Sequence, residues 1–115
     1  MKQKIGQQGE VCIIKIDALP EGMSTIPARR VDAGFVVAHS ESGHHHCVTG
    51  GDVIERTNDV PEGMKIFYAI LDEPEKLVQD ASHAHGEFDL SPGIFEFRVS
   101  REYDPFSEQA RIVAD

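Results

Sequence analysis

Tryptophan is absent from the 115-residue sequence, and tyrosine and cysteine occur twice each. Two cysteines cannot supply the multi-bridge framework that holds small secreted domains together, so Cys12 and Cys47 are expected as reduced thiols. Cations are also scarce. Eleven Lys and Arg stand against 20 Asp and Glu, a formal net charge of −9. Such a surface repels phosphate backbones and anionic headgroups, so neither nucleic acid nor a membrane is an expected partner. No stretch approaches the 18 or more apolar residues of a membrane-spanning helix. The first eight residues, Met1 to Gln8, lack the apolar centre of a secretory signal. The expected compartment is therefore the cytoplasm, or a virion if the chain is of phage origin.

What is present is a globular composition, 40% hydrophobic and 27% charged. A chain of this size suits one core, and residues 1–115 are expected as a single β domain. Val11 to Ile16, Gly34 to His39, His44 to Val48 and Asp52 to Thr57 read as strands, each closed by Gly, Pro, Asn or Asp turn chemistry. Lys65 to Leu71 is apolar on both faces, which predicts a central, doubly covered strand. Ile94 to Ser100 alternates. Phe95, Phe97 and Val99 are expected inside, with Glu96, Arg98 and Ser100 facing water. Two short segments favour helix, Pro74 to Ala81 and a turn carrying Phe106, Ala110 and Val113. The fold class expected is all-β, a small antiparallel barrel or sandwich with short helical turns. The tetrapeptide Pro20-Glu21-Gly22-Met23 recurs as Pro61-Glu62-Gly63-Met64. The surrounding residues do not match, so the recurrence reads as shared turn chemistry rather than duplication.

The chemical feature of the sequence is histidine. His39, His44, His45 and His46 fill one short window, and His83 and His85 another. On a strand, His44 and His46 share one face while His45 takes the other, and His83 and His85 stand in the same relation. Two such pairs on adjoining strands would bring imidazoles to one point, a donor set suited to zinc, iron, nickel or copper. Glu41, Asp80 and Glu87 are near in sequence as ligands or as acceptors that orient a ring. The bland alternative is a set of solvated or core histidines, each held by one backbone hydrogen bond. Cys47 alternates with His46, which places its thiol on the His45 side. There is no Cys-x-x-Cys, nucleophile elbow or phosphate-cradling glycine loop.

The His-x-His unit and the β content resemble the cupin barrel, although Ala38 stands where that pattern has Gly and no His follows Pro92-Gly93. A fuller resemblance rests on Gly9-Glu10-Val11, Leu19-Pro20-Glu21-Gly22, Gly43-His44-His45-His46, His85, Leu90-Ser91-Pro92-Gly93, Arg101-Glu102-Tyr103 and Arg111-Ile112-Val113-Ala114-Asp115. With these the chain resembles an uncharacterised group of small bacterial and phage proteins. In that group a second His often stands three residues before the one matched by His85. Here that position is Ser82, and His83 is the nearby substitute. The resemblance supplies a pattern of residues and no activity.

The functional expectation is a zinc-like transition-metal site formed by His44, His46 and His85, with His83 as a candidate fourth ligand. Its role would be structural or binding. An open coordination position would make it catalytic through a metal-bound water, with Glu41 or Glu87 as the acid–base group. Two alternatives stay open. One is a phage structural or accessory protein, such as a capsid-decorating subunit, acting through surface contacts with a protein partner or by self-association. The other is an acidic inhibitor that mimics DNA.

Overall fold

The structure, a computed structural model, describes residues 2–39, 45–79 and 87–100, with His39 described in its backbone alone. Eleven strands occur among them: β1 (Gln3–Gln8), β2 (Val11–Ile16), β3 (Thr25–Pro27), β4 (Arg30–Val31), β5 (Gly34–His39), β6 (His45–Val48), β7 (Asp52–Arg56), β8 (Met64–Leu71), β9 (Glu75–Gln79), β10 (Phe88–Leu90) and β11 (Gly93–Ser100). They form two antiparallel sheets, a six-stranded one in the order β1-β2-β11-β8-β7-β3 and a five-stranded one in the order β10-β9-β6-β5-β4. The all-β sandwich matches the class expected from alternation and turn spacing.

The sheets face each other across one core. Val11, Ile13, Phe67, Ala69, Leu71, Phe95, Phe97 and Val99 come from the first sheet; Val37, Val48, Leu77 and Leu90 come from the second. Apart from Ala69, each of these side chains contributes about 1.5–3 kcal/mol by leaving water. The chain passes from one sheet to the other at Ala28, whose amide donates to Val53 O (2.9 Å) just before Arg29 O accepts from Val36 (2.8 Å). At the opposite edge the Phe88 ring packs so closely on Gly6 that a Cβ there would overlap it, which draws β1 toward β10.

The outer face of the six-stranded sheet carries a second cluster. Ile16, Ile66 and Tyr68 are buried there, against half-buried Leu19, Met23 and Val60 from the connections after β2 and β7 and Met64 at the start of β8. This explains why β8 is apolar on both faces. It also corrects the expectation that Glu96 faces water, because Glu96 lies on this covered face and is fully buried. Arg98 Nε (2.6 Å), Tyr68 Oη (3.1 Å) and Lys2 Nζ (3.2 Å) all donate to its carboxylate.

Residues 74–81 were expected to be helical, yet Glu75–Gln79 is a strand. Leu77 pairs with Val48 on one side and Phe88 on the other. Two ladders and a buried Leu77 outweigh the weak helix preference of one Pro-led turn. The turn expected around Phe106 to Val113 lies outside the described residues.

Candidate functional site

The site is built on β6. Val48 points into the core, so alternation sends His46 inward too, two residues nearer the strand's start. His46 is 1% exposed. Its ring lies beneath the Gln8–Val11 hairpin that joins β1 to β2. Gln8 is buried in that hairpin, and its Nε2 donates to Leu77 O at 3.0 Å. A carbonyl only accepts, so the amide orientation is fixed and Gln8 Oε1 faces His46 Nδ1 at 2.8 Å. Nδ1 must then carry the proton.

This leaves His46 Nε2 directed at Glu10, with Oε1 3.3 Å away and the Glu10 side chain 15% exposed. Gly9, at φ +56°, lets the hairpin cross the ring closely. A Cβ at this position would stand 3.2 Å from His46 Cε1 and 3.4 Å from Nε2. Gln79 pairs with His46 in register and shares its face of the sheet. The buried oxygens Glu10 Oε1 and Gln79 Oε1 accept no hydrogen bond among the described residues. His46 Nε2 and two buried side-chain oxygens, from Glu10 and Gln79, are therefore gathered at one end of the sandwich.

Of the histidines singled out in the sequence, His46 is the inward-facing one that the structure describes. His44, His83 and His85 lie outside the described residues, as does Glu41. The strand ends that carry those segments are nevertheless adjacent. His45 pairs with His39, and His46 pairs with Gln79. The connections 40–44 and 80–86 thus start from neighbouring strands at the end of the sheet where His46 is buried. Among the described residues no three His, Cys, Asp or Glu side chains converge as a metal-binding group. Cys47 is buried one residue on, on the opposite face of β6. Glu87 is exposed and forms an ion pair with Lys76 (3.2 Å), which also reaches Asp89 (3.2 Å).

Gln8, Glu10 and Gln79 did not stand out in the sequence as site residues. Glu10 carried one signal, its place in the Gly9-Glu10-Val11 segment. Gln8 sits in a strand of mostly exposed polar residues, which has no apolar alternation to announce it.

No helix among the described residues is long and apolar enough to cross a membrane. A family model described as a domain of unknown function (DUF8820) matches residues 7–100. No curated protein and no solved structure matches the chain.

Proposed function

The chain belongs to DUF8820, a family of domains of unknown function, and from its own residues we propose that it binds one divalent transition ion of the zinc class through His46 and Glu10. His44 and His85 would complete the set, with His83 as a further candidate from the same segment. The observation that carries this reading is the orientation of the His46 ring, with Nδ1 donating to Gln8 Oε1 and Nε2 directed at Glu10. Gln8 Oε1 accepts from Nδ1–H, which leaves Nε2 aimed at a carboxylate oxygen 3.3 Å away. A nitrogen and a carboxylate oxygen held this close need a cation or a proton between them.

The distance suits a metal. Two ligands bound at about 2.0–2.1 Å with a tetrahedral angle stand about 3.3–3.4 Å apart. A proton on Nε2 would also satisfy the pair, as a buried imidazolium–carboxylate. What favours the metal is the acceptor-rich surroundings, where Gln79 Oε1 adds a second buried oxygen without a donor among the described residues. Histidine-bearing segments also join both neighbouring strand ends. A nitrogen and oxygen donor set suits zinc, iron, nickel or manganese better than cuprous copper, which selects thiolate. Gln8 acts as the outer acceptor that fixes ring orientation and raises the ligand strength of Nε2. The role supported best is structural or binding, in a cytoplasmic protein.

Zinc titration of chelator-stripped protein by calorimetry tests this. One equivalent is expected to bind, with binding abolished in His46→Ala and weakened in Glu10→Gln. His45→Ala, on the other face of β6, is expected to leave the isotherm unchanged. Heat that is equal in wild type and His46→Ala would overturn the proposal.

A further inference from the structure

The two residues nearest the proposed ion come from different sheets. His46 stands on β6 of the five-stranded sheet, whereas Glu10 lies at the tip of the hairpin between β1 and β2 of the six-stranded one. An ion held by both would tie the sheets together at this end of the sandwich.

That tie falls on a lightly held part of the chain. β1 is an edge strand with β2 as its one ladder neighbour. Its register slips between Lys4 and Gly6, and Gln3, Lys4, Ile5 and Gln7 are exposed. Exposed backbone with few apolar contacts opens at the lowest free-energy cost. Both sides of the tip are anchored. Before the bulge, Lys2 Nζ donates to the buried Glu96 carboxylate at 3.2 Å. After the tip, Val11 is fully buried and pairs with Val99 of β11. The part free to lift is therefore Gly6 to Glu10, whose strand residues pair with Ile13, Cys12 and Val11. Across the sandwich Gln8 reaches Leu77 O and the His46 ring, and the Phe88 ring packs on Gly6.

Glu10 works against closure when nothing binds it. With the tip down, its Oε1 is buried and accepts no hydrogen bond among the described residues. Burying a carboxylate oxygen without a donor is costly, and lifting the tip returns it to water. A bound cation reverses the preference, because the same oxygen then becomes a ligand.

We propose that the ion works the hairpin tip as a latch. Bound between His46 and Glu10, it holds Gly6 to Glu10 closed over β6. Its removal lets the tip lift and Gly6 to Gln8 fray from β2, while β2 keeps its place beside β11. The latch rests on the metal reading above and adds regulation to that site, since the ion then controls whether the outer backbone edge of β2 is covered.

Amide hydrogen exchange on the full chain, chelator-stripped and then with zinc, tests the latch, with calorimetry run in parallel. An ion that binds the closed form alone suppresses opening by one plus the ratio of free ion to Kd, about 100-fold when free zinc is about 100 times Kd. The protected amides among Gly6 to Gln8 are expected to slow by about that factor. Amides of β3 and β4, which lie at the opposite edges of the two sheets, are expected to keep their rates. Glu10→Ala removes the ligand on the tip, so its Gly6 to Gln8 amides should stay fast in the same zinc. Zinc binding seen by calorimetry with Gly6 to Gln8 exchange unchanged would overturn the latch and leave the metal site standing. Equal slowing in β3 and β4, or in Glu10→Ala, would do the same. No zinc binding at all would overturn both.

Discussion

Gln8 holds the imidazole of His46 in a single tautomer from 38 residues away in the sequence, its Oε1 2.8 Å from Nδ1. The geometry is enforced at both ends of the amide, because the Nε2 of Gln8 is committed to Leu77 O. Gln8→Ala therefore leaves two buried groups without their partner, the ring N–H and the carbonyl. A loss of about 1–3 kcal/mol in unfolding free energy is expected, measured by urea denaturation. Zinc affinity should fall about 10–100-fold, as is usual when the outer partner of a ligating histidine is removed.

Glu96 gives the fold an acid-sensitive point. Burial alone would push its carboxyl up. The hydrogen bonds from Arg98 and Lys2 outweigh burial and hold it below the ordinary value of 4.5. The folded state thus favours the charged form. The stabilisation is present above the unfolded value and is lost as pH falls through the lower folded value. Glu96→Gln removes that titration and leaves Arg98 and Lys2 without their counter-charge. Stability at pH 7 should drop by about 1–3 kcal/mol, and the acid limb of the stability–pH curve should flatten.

Tyr68 predicts the opposite limb. Burial raises its phenol above 10.0, with the Arg56 hydrogen bond opposing and Glu96 adding to the rise. The folded state favours the protonated phenol, so that stabilisation is present below the unfolded value and lost as pH climbs through the folded one. Tyr68→Phe should remove this alkaline loss, read from melting temperatures between pH 8 and pH 11, a range spanning the ordinary phenol value of about 10.

Gly34 is a steric requirement of the second sheet. It begins β5 at φ +139°, and a Cβ there would lie 2.2 Å from Val48 O. Val48 is core and belongs to the strand that carries His46. Gly34→Ala should cost at least about 2 kcal/mol, since backbone must move. A melting curve checks it, and zinc affinity should fall with it because β6 shifts.

Glu87 should prove neutral. Lys76 reaches Glu87 and Asp89 from the surface, and their hydrogen bonds raise its ammonium above the usual value. Exposed pairs of this kind are screened by salt. Glu87→Gln is expected to leave melting temperature and zinc affinity unchanged at physiological ionic strength.

The sandwich was legible where side chains alternate or run apolar. Val11–Ile16, Gly34–His39, Met64–Leu71 and Gly93–Ser100 carry that signal, and all are strands. Gln3–Gln8 was not legible because its residues are polar and mostly exposed; it is a strand because Val11–Ile16 offers it a ladder. Glu75–Gln79 was misread because eight residues led by a proline fit a helix equally well, and only long-range pairing decides. Of the site, the place of His46 on the face opposite His45 followed from strand alternation, whereas the inward direction of that face did not. Gln8, Glu10 and Gln79 did not, since their meeting with His46 depends on a hairpin and a neighbouring strand brought in from distant sequence.

The metal content of the native, untagged chain tests the central claim most directly, taken together with its melting temperature before and after chelation. About one zinc-class ion per chain is predicted, with a lower melting temperature once it is stripped and recovery on adding zinc back to wild type but not to His46→Ala. A metal-free protein whose melting temperature responds to neither chelator nor zinc would contradict it, and would leave His46 and Glu10 as a buried ion pair.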